Sequence, residues 1–287
     1  MSLSVLTLVR GRRAHLVNLM LSLAAQTRPP DELVIAFMQE TIEPDLPAIG
    51  LPVRALTVTG QALPLAKARN RAAAAAKGDT LVFLDVDCIA SPTLVENFER
   101  ASASEHGLFL GEVLYLPEGA VTNPLDTASL DAVGIAHPSK PGMPATGWRR
   151  EPDAGEFWGL SFALRKSLWN RLGGMDERFV GYGGEETDLA ARLDKSGIPV
   201  WWTAGARAYH QHHTVHIPPL NHFGSIIRNA RRFHEKHGRW CMTYWLGQLA
   251  ETGLIEWSQE AGDIVCLREP DAEMIAAARQ PGHVRFS

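Results

Sequence analysis

The sequence predicts an α/β fold: a mostly parallel central sheet flanked by helices, with a helical extension at the C-terminal end. Three observations carry that expectation. Short apolar strands alternate with helix-spaced segments early in the chain, and the last of them runs into Leu84-Asp85-Val86-Asp87-Cys88. A glycine-rich turn followed by Glu185-Glu186-Thr187-Asp188 then opens a later helix. Strand–helix–strand repetition builds parallel sheets with right-handed crossovers. Ligands of such sheets sit beyond the carboxyl ends of the strands, where Asp85 and Asp87 fall.

The elements follow in order. Leu3–Val9 is a short apolar strand, and 13–26 places Leu16, Leu19, Met20 and Leu23 at helical spacing until Pro29-Pro30. Glu32–Phe37 reads as the second strand and 53–58 as the third. An alanine-rich helix covers 65–76, the Lys77-Gly78-Asp79 turn follows, and Thr80–Leu84 is the fourth strand. Residues 117–156 are rich in Pro, Gly and Ala and read as a long loop region, of the kind that often shapes a binding site. Order resumes over 157–172, a helix runs from about Glu185 to Lys195, and 200–203 is a strand. Pro218-Pro219 introduces a helix to about His237, and the tail from Trp240 carries an amphipathic helix. The expected organisation is one domain over 1–215, with a nucleotide half to about 115 and an acceptor half beyond it. Residues 216–287 are expected to pack on it as a helical extension.

Composition narrows the function classes. Of 287 residues 45% are apolar and 21% charged, with a net charge of −4, so there is no basic surplus for nucleic acid. Cys88, Cys241 and Cys266 are few, odd in number and without a CxxC pair, which favours reduced thiols over a disulfide framework. The N-terminus lacks a basic and apolar leader, and no apolar run approaches the roughly 20 residues of a spanning helix. The expectation is a cytoplasmic protein whose membrane contact, if any, is peripheral at the inner face.

The Asp-Val-Asp step is the first place where chemistry shows. Side chains alternate along a strand, so Asp85 and Asp87 point the same way. Two neighbouring carboxylates repel, and a divalent cation with a diphosphate removes that cost. The bland alternative is a solvated turn after a strand. Ala66-Lys67-Ala68-Arg69-Asn70-Arg71, Ala76-Lys77-Gly78-Asp79, Phe83-Leu84-Asp85-Val86-Asp87-Cys88 and Ser22-Leu23-Ala24-Ala25-Gln26-Thr27 together resemble glycosyltransferase family 2 of the GT-A fold. The resemblance implies that Asp85 lies near the ribose of a nucleotide sugar and that Asp87 binds Mn²⁺ or Mg²⁺ and the diphosphate. Val9, Arg10, Gln39, Arg69 and Val86 join them on the donor side, although Arg69 reads equally well as an exposed helix arginine. The second strand departs from the family pattern: acids that contact the base are replaced by Phe37-Met38-Gln39. Gln39 is expected to bond a base edge, with Phe37 or Met38 packing on its face.

Trp158-Gly159, Gly173-Gly174-Met175-Asp176-Glu177, Gly183-Gly184-Glu185-Glu186 and Leu189-Ala190-Ala191-Arg192-Leu193 resemble a narrower group. This is the C-terminal half shared by β-1,4-galactosyltransferases and polypeptide N-acetylgalactosaminyltransferases. The resemblance implies an acceptor site at Trp158, Gly159, Gly184 and Glu185, with Glu186 as catalytic base beside Glu185. Favourable charge at a helix start is the bland reading of these acids, worth about 0.3–1 kcal/mol. It leaves the preceding glycines unexplained. Asp188 is read as structural, an i,i+4 partner of Arg192.

In Tyr209-His210-Gln211-His212-His213, the same resemblance makes His210 the second metal ligand, with His212 and His213 as alternates or phosphate contacts. The basic helix bearing Arg228, Arg231, Arg232, Lys236 and Arg239 is read first as a solvated face. The function expected from all of this is metal-dependent, inverting transfer of a hexose, from a UDP-sugar above other donors, to a hydroxyl of a glycan, lipid or other acceptor. Two rivals stand beside it: a nucleotidyltransferase of similar fold, and a non-catalytic glycan-binding relative.

Overall fold

A computed structural model describes residues 2–60 and 62–286. The chain opens with β1 (Leu3–Val9), α1 (Arg13–Ala24), β2 (Glu32–Phe37), β3 (Val53–Thr57), α2 (Leu65–Ala75) and β4 (Thr80–Leu84). Strands β3, β2, β1 and β4 lie side by side and parallel, with β1 and β2 buried along their whole length. Buried on both faces, they read as continuous apolar runs rather than alternating ones. α1 turns Leu16, Leu19, Met20 and Leu23 inward, the stripe its spacing predicts. α2 buries Ala66, Ala68, Ala72 and Ala73, small enough to bring the helix close to the sheet. The one large side chain it buries is Arg69.

Beyond β4 come β5 (Cys88–Ala90), α3 (Leu94–Ser104), β6 (Leu108–Tyr115), α4 (Thr127–Val133), β7 (Ile135–Ala136) and β8 (Trp148–Glu151). Next are β9 (Ser161–Arg165), α5 (Lys166–Leu172), α6 (Glu185–Lys195) and β10 (Val200–His210). The sheet order continues β4-β9-β6-β10-β5, with β9 antiparallel to both its neighbours and β10 parallel to β6. The region 117–156, expected as loop, holds α4, β7 and β8. These pieces are two to seven residues long, too short to show a period. The strand expected over 200–203 runs on to His210. A bulge between Trp202 and Arg207, with Gly205 at φ +74°, breaks the pattern that sequence alone can follow.

The C-terminal part adds α7 (Phe223–His237), α8 (Thr243–Glu251), a small hairpin of β11 (Ile255–Glu256) and β12 (Val265–Cys266), and α9 (Ala272–Ala277). It packs around its own core of Phe223, Ile226, Ile227, Phe233, Leu246 and Leu249, which Phe179 joins from the turn before α6. The basic residues of α7 are largely engaged. Arg228 donates to the Val180 carbonyl and Arg231 pairs with Asp263. Lys236 and His237 reach Asp188, a fully buried carboxylate that Arg192 also holds at 2.9 Å. The side chain of Asn229, also fully buried, donates to the carbonyls of Val180 and Gly183 and so ties α7 to the glycine-rich turn. No helix among the described residues is long and apolar enough to cross a membrane.

Candidate active site

Four elements bring the acidic residues together at the carboxyl end of the parallel strands. β4 ends at Leu84 and delivers Asp85, whose backbone N–H is held by the Leu160 carbonyl at 2.9 Å. Asp87 is fixed through its own carbonyl, which accepts from the Gln211 N–H at 2.6 Å. β10, past its bulge, pairs His210 with Cys88 on one side and Tyr115 on the other. His210 therefore arrives beside Asp87, its Nε2 3.5 Å from Oδ1, while His213 Nε2 lies 3.7 Å from Oδ2. One ligand atom from each of Asp87, His210 and His213 falls within 4.8 Å of the others. Arg12 pairs with the same carboxylate from the turn after β1.

The second acidic group is built at the start of α6. Gly184 precedes it at φ +92°, a conformation that a side chain resists, and a Cβ there would press on the Phe179 ring at 3.0 Å. Glu185 turns inward at 3% exposure and Glu186 stays half-buried. Arg69 joins the two groups. Its Nη2 reaches Glu186 Oε1 at 2.8 Å and Asp85 Oδ1 at 3.2 Å, and Nη1 reaches Glu185 Oε1 at 3.2 Å. At 2% exposure it is a buried hub, not an exposed helix arginine. Gly159 backs onto the same point: a Cβ there would stand 2.1 Å from Glu186 Oε1 and 3.0 Å from Arg69 Nη2.

Electrostatics follow from this crowding. Burial raises the Glu185 and Asp85 carboxyls above the ordinary range, and neighbouring acids add to the shift while Arg69 opposes it. Burial acts the same way on Asp87, but His210, Arg12 and His213 outweigh it and hold that carboxyl low. Burial lowers His210 to about 4, so its ring is neutral near pH 7 and keeps a lone pair. Burial works against the charge of Arg69, and Asp85, Glu186 and Glu185 more than offset it, so its pKa is raised.

Other expected donor residues sit around this centre in different ways. Val9 and Val86 turn their side chains into the core and offer a ligand none of them. Phe37 and Met38 are likewise buried, so neither is placed to cover a base; both faces of β2 are occupied by core. Gln39 bonds the Gly11 N–H and the Thr41 carbonyl, and Arg10 bonds the carbonyls of Met38 and Gly60. Trp158 keeps 36% exposure next to Gly159, with the Lys140 ammonium 3.5 Å over its ring. Arg12 escaped the sequence reading. Its partner lies 75 residues on, and only its place after the first strand hinted at it.

A family model described as glycosyl transferase family 2 matches residues 4–171, well over half of the sequence. The chain belongs to glycosyl transferase family 2. A second model, described as the N-terminal domain of galactosyltransferase, matches 142–216, the stretch that carries Gly159, Glu185, Glu186 and the histidines. This family 2 chain is 35% identical over 85 residues to validoxylamine A glucosyltransferase of Streptomyces hygroscopicus subsp. jinggangensis, covering 28% of this chain and 19% of that enzyme. It therefore spans about a fifth of the length of the curated relatives it matches. Among solved structures, that of GalNAc-T7 with UDP, GalNAc and Mn²⁺ aligns at a TM-score of 0.58 and 15% identity, covering 88% of this chain and 57% of that one. S. aureus TarS aligns at 0.54 and 14% identity, covering 88% and 71%. At such identities the likeness establishes the shared GT-A fold.

Proposed function

We propose that the protein transfers a hexose from a nucleotide-diphosphate sugar, best a UDP-sugar, to a hydroxyl acceptor with inversion at the anomeric carbon. The observation that carries this reading is the Arg69 hub. It holds Asp85 and Glu186 on one guanidinium nitrogen, which supports reading the donor motif and the acidic pair of α6 as parts of one site. Family membership and the fold, shared with a structure solved with UDP and Mn²⁺, support the donor class.

Asp87 and the two histidines fit a divalent cation. Asp87 Oδ1 is buried with no hydrogen-bond partner, and one carboxylate with two imidazoles is a donor set that Mn²⁺ accepts. A Mn²⁺ or Mg²⁺ ion held there supplies charge that neutralises the departing diphosphate. Glu186 is the general base: its carboxylate takes the proton of the acceptor hydroxyl. The hydroxyl oxygen then bonds the anomeric carbon on the face opposite the diphosphate. The bond from that carbon to the phosphate oxygen breaks, and its electron pair leaves with UDP. Arg69 fixes Glu186 through Oε1, and Arg12 stands beside Asp87 to meet the phosphates.

Thermal denaturation with Mn²⁺ and UDP, GDP or dTDP sugars tests this reading. Ligand at a hundred times its Kd adds about 2.7 kcal/mol, or roughly 5–10 °C in a chain of this size. UDP-sugar with Mn²⁺ is expected to give that shift, and Asp87→Asn or His213→Ala to remove the Mn²⁺-dependent part. A shift of equal size without metal would oppose the proposal.

Gly159→Ala separates fold from site. Its Cβ meets the far end of the half-buried Glu186 side chain, which can swing aside, and stands 3.0 Å from Arg69 Nη2, which need give only a few tenths of an ångström, so the melting temperature should fall by less than about 3 °C. Displacing the base by about an ångström is expected to lower turnover by on the order of 100-fold. Calorimetry and a UDP-release assay on the same preparation check both halves.

A further inference from the structure

A cavity of about 110 Å³ lies behind Trp158, bounded by β6, β9 and the segment that follows β7. It adjoins the proposed reaction centre on two sides. Tyr115, on one wall, packs against His210 with the rings tilted by 32° and their centres 4.7 Å apart. Trp158, on the other, precedes Gly159, which backs onto Glu186. The walls are mainly aromatic and apolar, with a few polar groups: Ser161, Glu112, His137 and the Lys140–Glu156 pair at 2.9 Å. Ser161 Oγ is buried and has no hydrogen-bond partner in the protein. A buried hydroxyl without a partner carries a desolvation cost that a ligand hydroxyl would remove.

The last described residues lie against Tyr115 and His137, two residues of the cavity wall. The Arg285 guanidinium donates to the carbonyls of Tyr115 and Val133, and Phe286 packs edge-on against Tyr115 at 4.9 Å and His137 at 4.7 Å. His137 in turn meets the Trp158 ring at 4.8 Å. Held there, Arg285 and Phe286 leave a polymer or an extended peptide less room beside Tyr115 and His137. The space is also well below the several hundred Å³ that enclose a drug-sized ligand, and roughly matches one six-membered ring with its substituents.

We propose that this cavity is the acceptor subsite and takes a single polyhydroxylated ring, a free sugar or cyclitol, with Ser161 Oγ bonding one of its hydroxyls. The assignment rests on the transferase reading above. The ring's apolar face lies against the aromatic walls. Its reacting hydroxyl points past Gly159 to Glu186, which takes the proton as the oxygen bonds the donor's anomeric carbon and UDP departs.

The test uses the whole protein with Mn²⁺ and UDP-glucose or UDP-galactose, and reads UDP release. Single rings (hexoses, hexosamines, myo-inositol) are compared with maltotetraose and a serine-rich peptide. At least one single ring is expected to speed UDP release at least tenfold in a saturable way, and the longer acceptors to leave it unchanged. Because Ser161 Oγ bonds nothing in the protein, Ser161→Ala should fold normally. Loss of one hydrogen bond to the ring should raise that ring's KM about tenfold and move kcat less. Phe286→Ala should admit longer acceptors. Donor hydrolysis that no single ring accelerates, release driven by the tetrasaccharide or peptide instead, or an unchanged KM in Ser161→Ala would each overturn the subsite alone. Absence of any UDP binding with Mn²⁺ would overturn the transferase reading beneath it.

Discussion

Glu186→Gln is expected to lower turnover by about 10²–10⁴-fold, the usual contribution of a positioned general base. The substitution is chosen for what it keeps. The amide oxygen still accepts from Arg69 Nη2, which holds Glu186 Oε1 at 2.8 Å, so the side chain stays where the wild type has it. What disappears is the ability to take a proton. UDP-sugar with Mn²⁺ should therefore protect the variant against heat as it protects the wild type. Steady-state UDP release and thermal shift together separate this outcome from misfolding. The product of the wild-type reaction should carry the configuration opposite to that of the donor, readable from its anomeric proton coupling. Near-normal turnover in the variant, or retained configuration in the product, would remove Glu186 from the role.

Replacing Arg69 should do the greatest harm to the fold itself. Arg69→Met leaves Asp85, Glu185 and Glu186 facing one another with their shared cation gone. Stranding buried charge in this way costs about 3–5 kcal/mol, or roughly 10 °C in melting temperature for a chain of this length. The loss should depend on pH, with a definite sign. Burial raises Glu185 and Asp85 above the ordinary carboxyl value of about 4, so the folded state holds protons that the unfolded chain releases. Stability from these groups is complete below that ordinary value and is lost as pH climbs through the raised one. Without Arg69 to oppose the shift, the loss becomes larger. The deficit of Arg69→Met relative to wild type should therefore be smallest near pH 4–5 and widen toward pH 8, as urea denaturation across that range would show. A deficit independent of pH would mean that Arg69 acts by packing alone.

The fold was legible where the signals are local. The first four strands and two helices stand in the sequence as apolar runs cut by Pro29-Pro30 and Lys77-Gly78-Asp79, and the structure has them within one or two residues. Asp85, Asp87, Glu186 and His210 stood out in the sequence through a strand end and the family resemblance, and the structure sets Asp87 beside His210 and joins Asp85 to Glu186 through Arg69. What escaped depends on distance along the chain. The His210 strand passes through a bulge at Gly205 that reads as an ending. Arg69 looks like any surface arginine until β4 and α6 close over it. Val9 and Val86 share the motif ends with true surface groups, yet the central position of their strands turns both inward. The cations of α7 look like a solvated face because Asp176, Asp188 and Asp263, which occupy them, are remote in sequence.

Asp188 gives the C-terminal helices a meaning beyond bulk. One turn of helix separates it from Glu185, and two of its three polar partners, Lys236 and His237, come from α7. A protein trimmed after Val215 would keep the acidic residues and histidines of the proposed site and yet lose Lys236 and His237, which help this carboxylate lie in the interior. It would also bare Phe179 and cut the Asn229 tether on the glycine turn. Such a minimal version should therefore be a poor starting point for engineering, and grafting new acceptor preferences is better done on the intact chain.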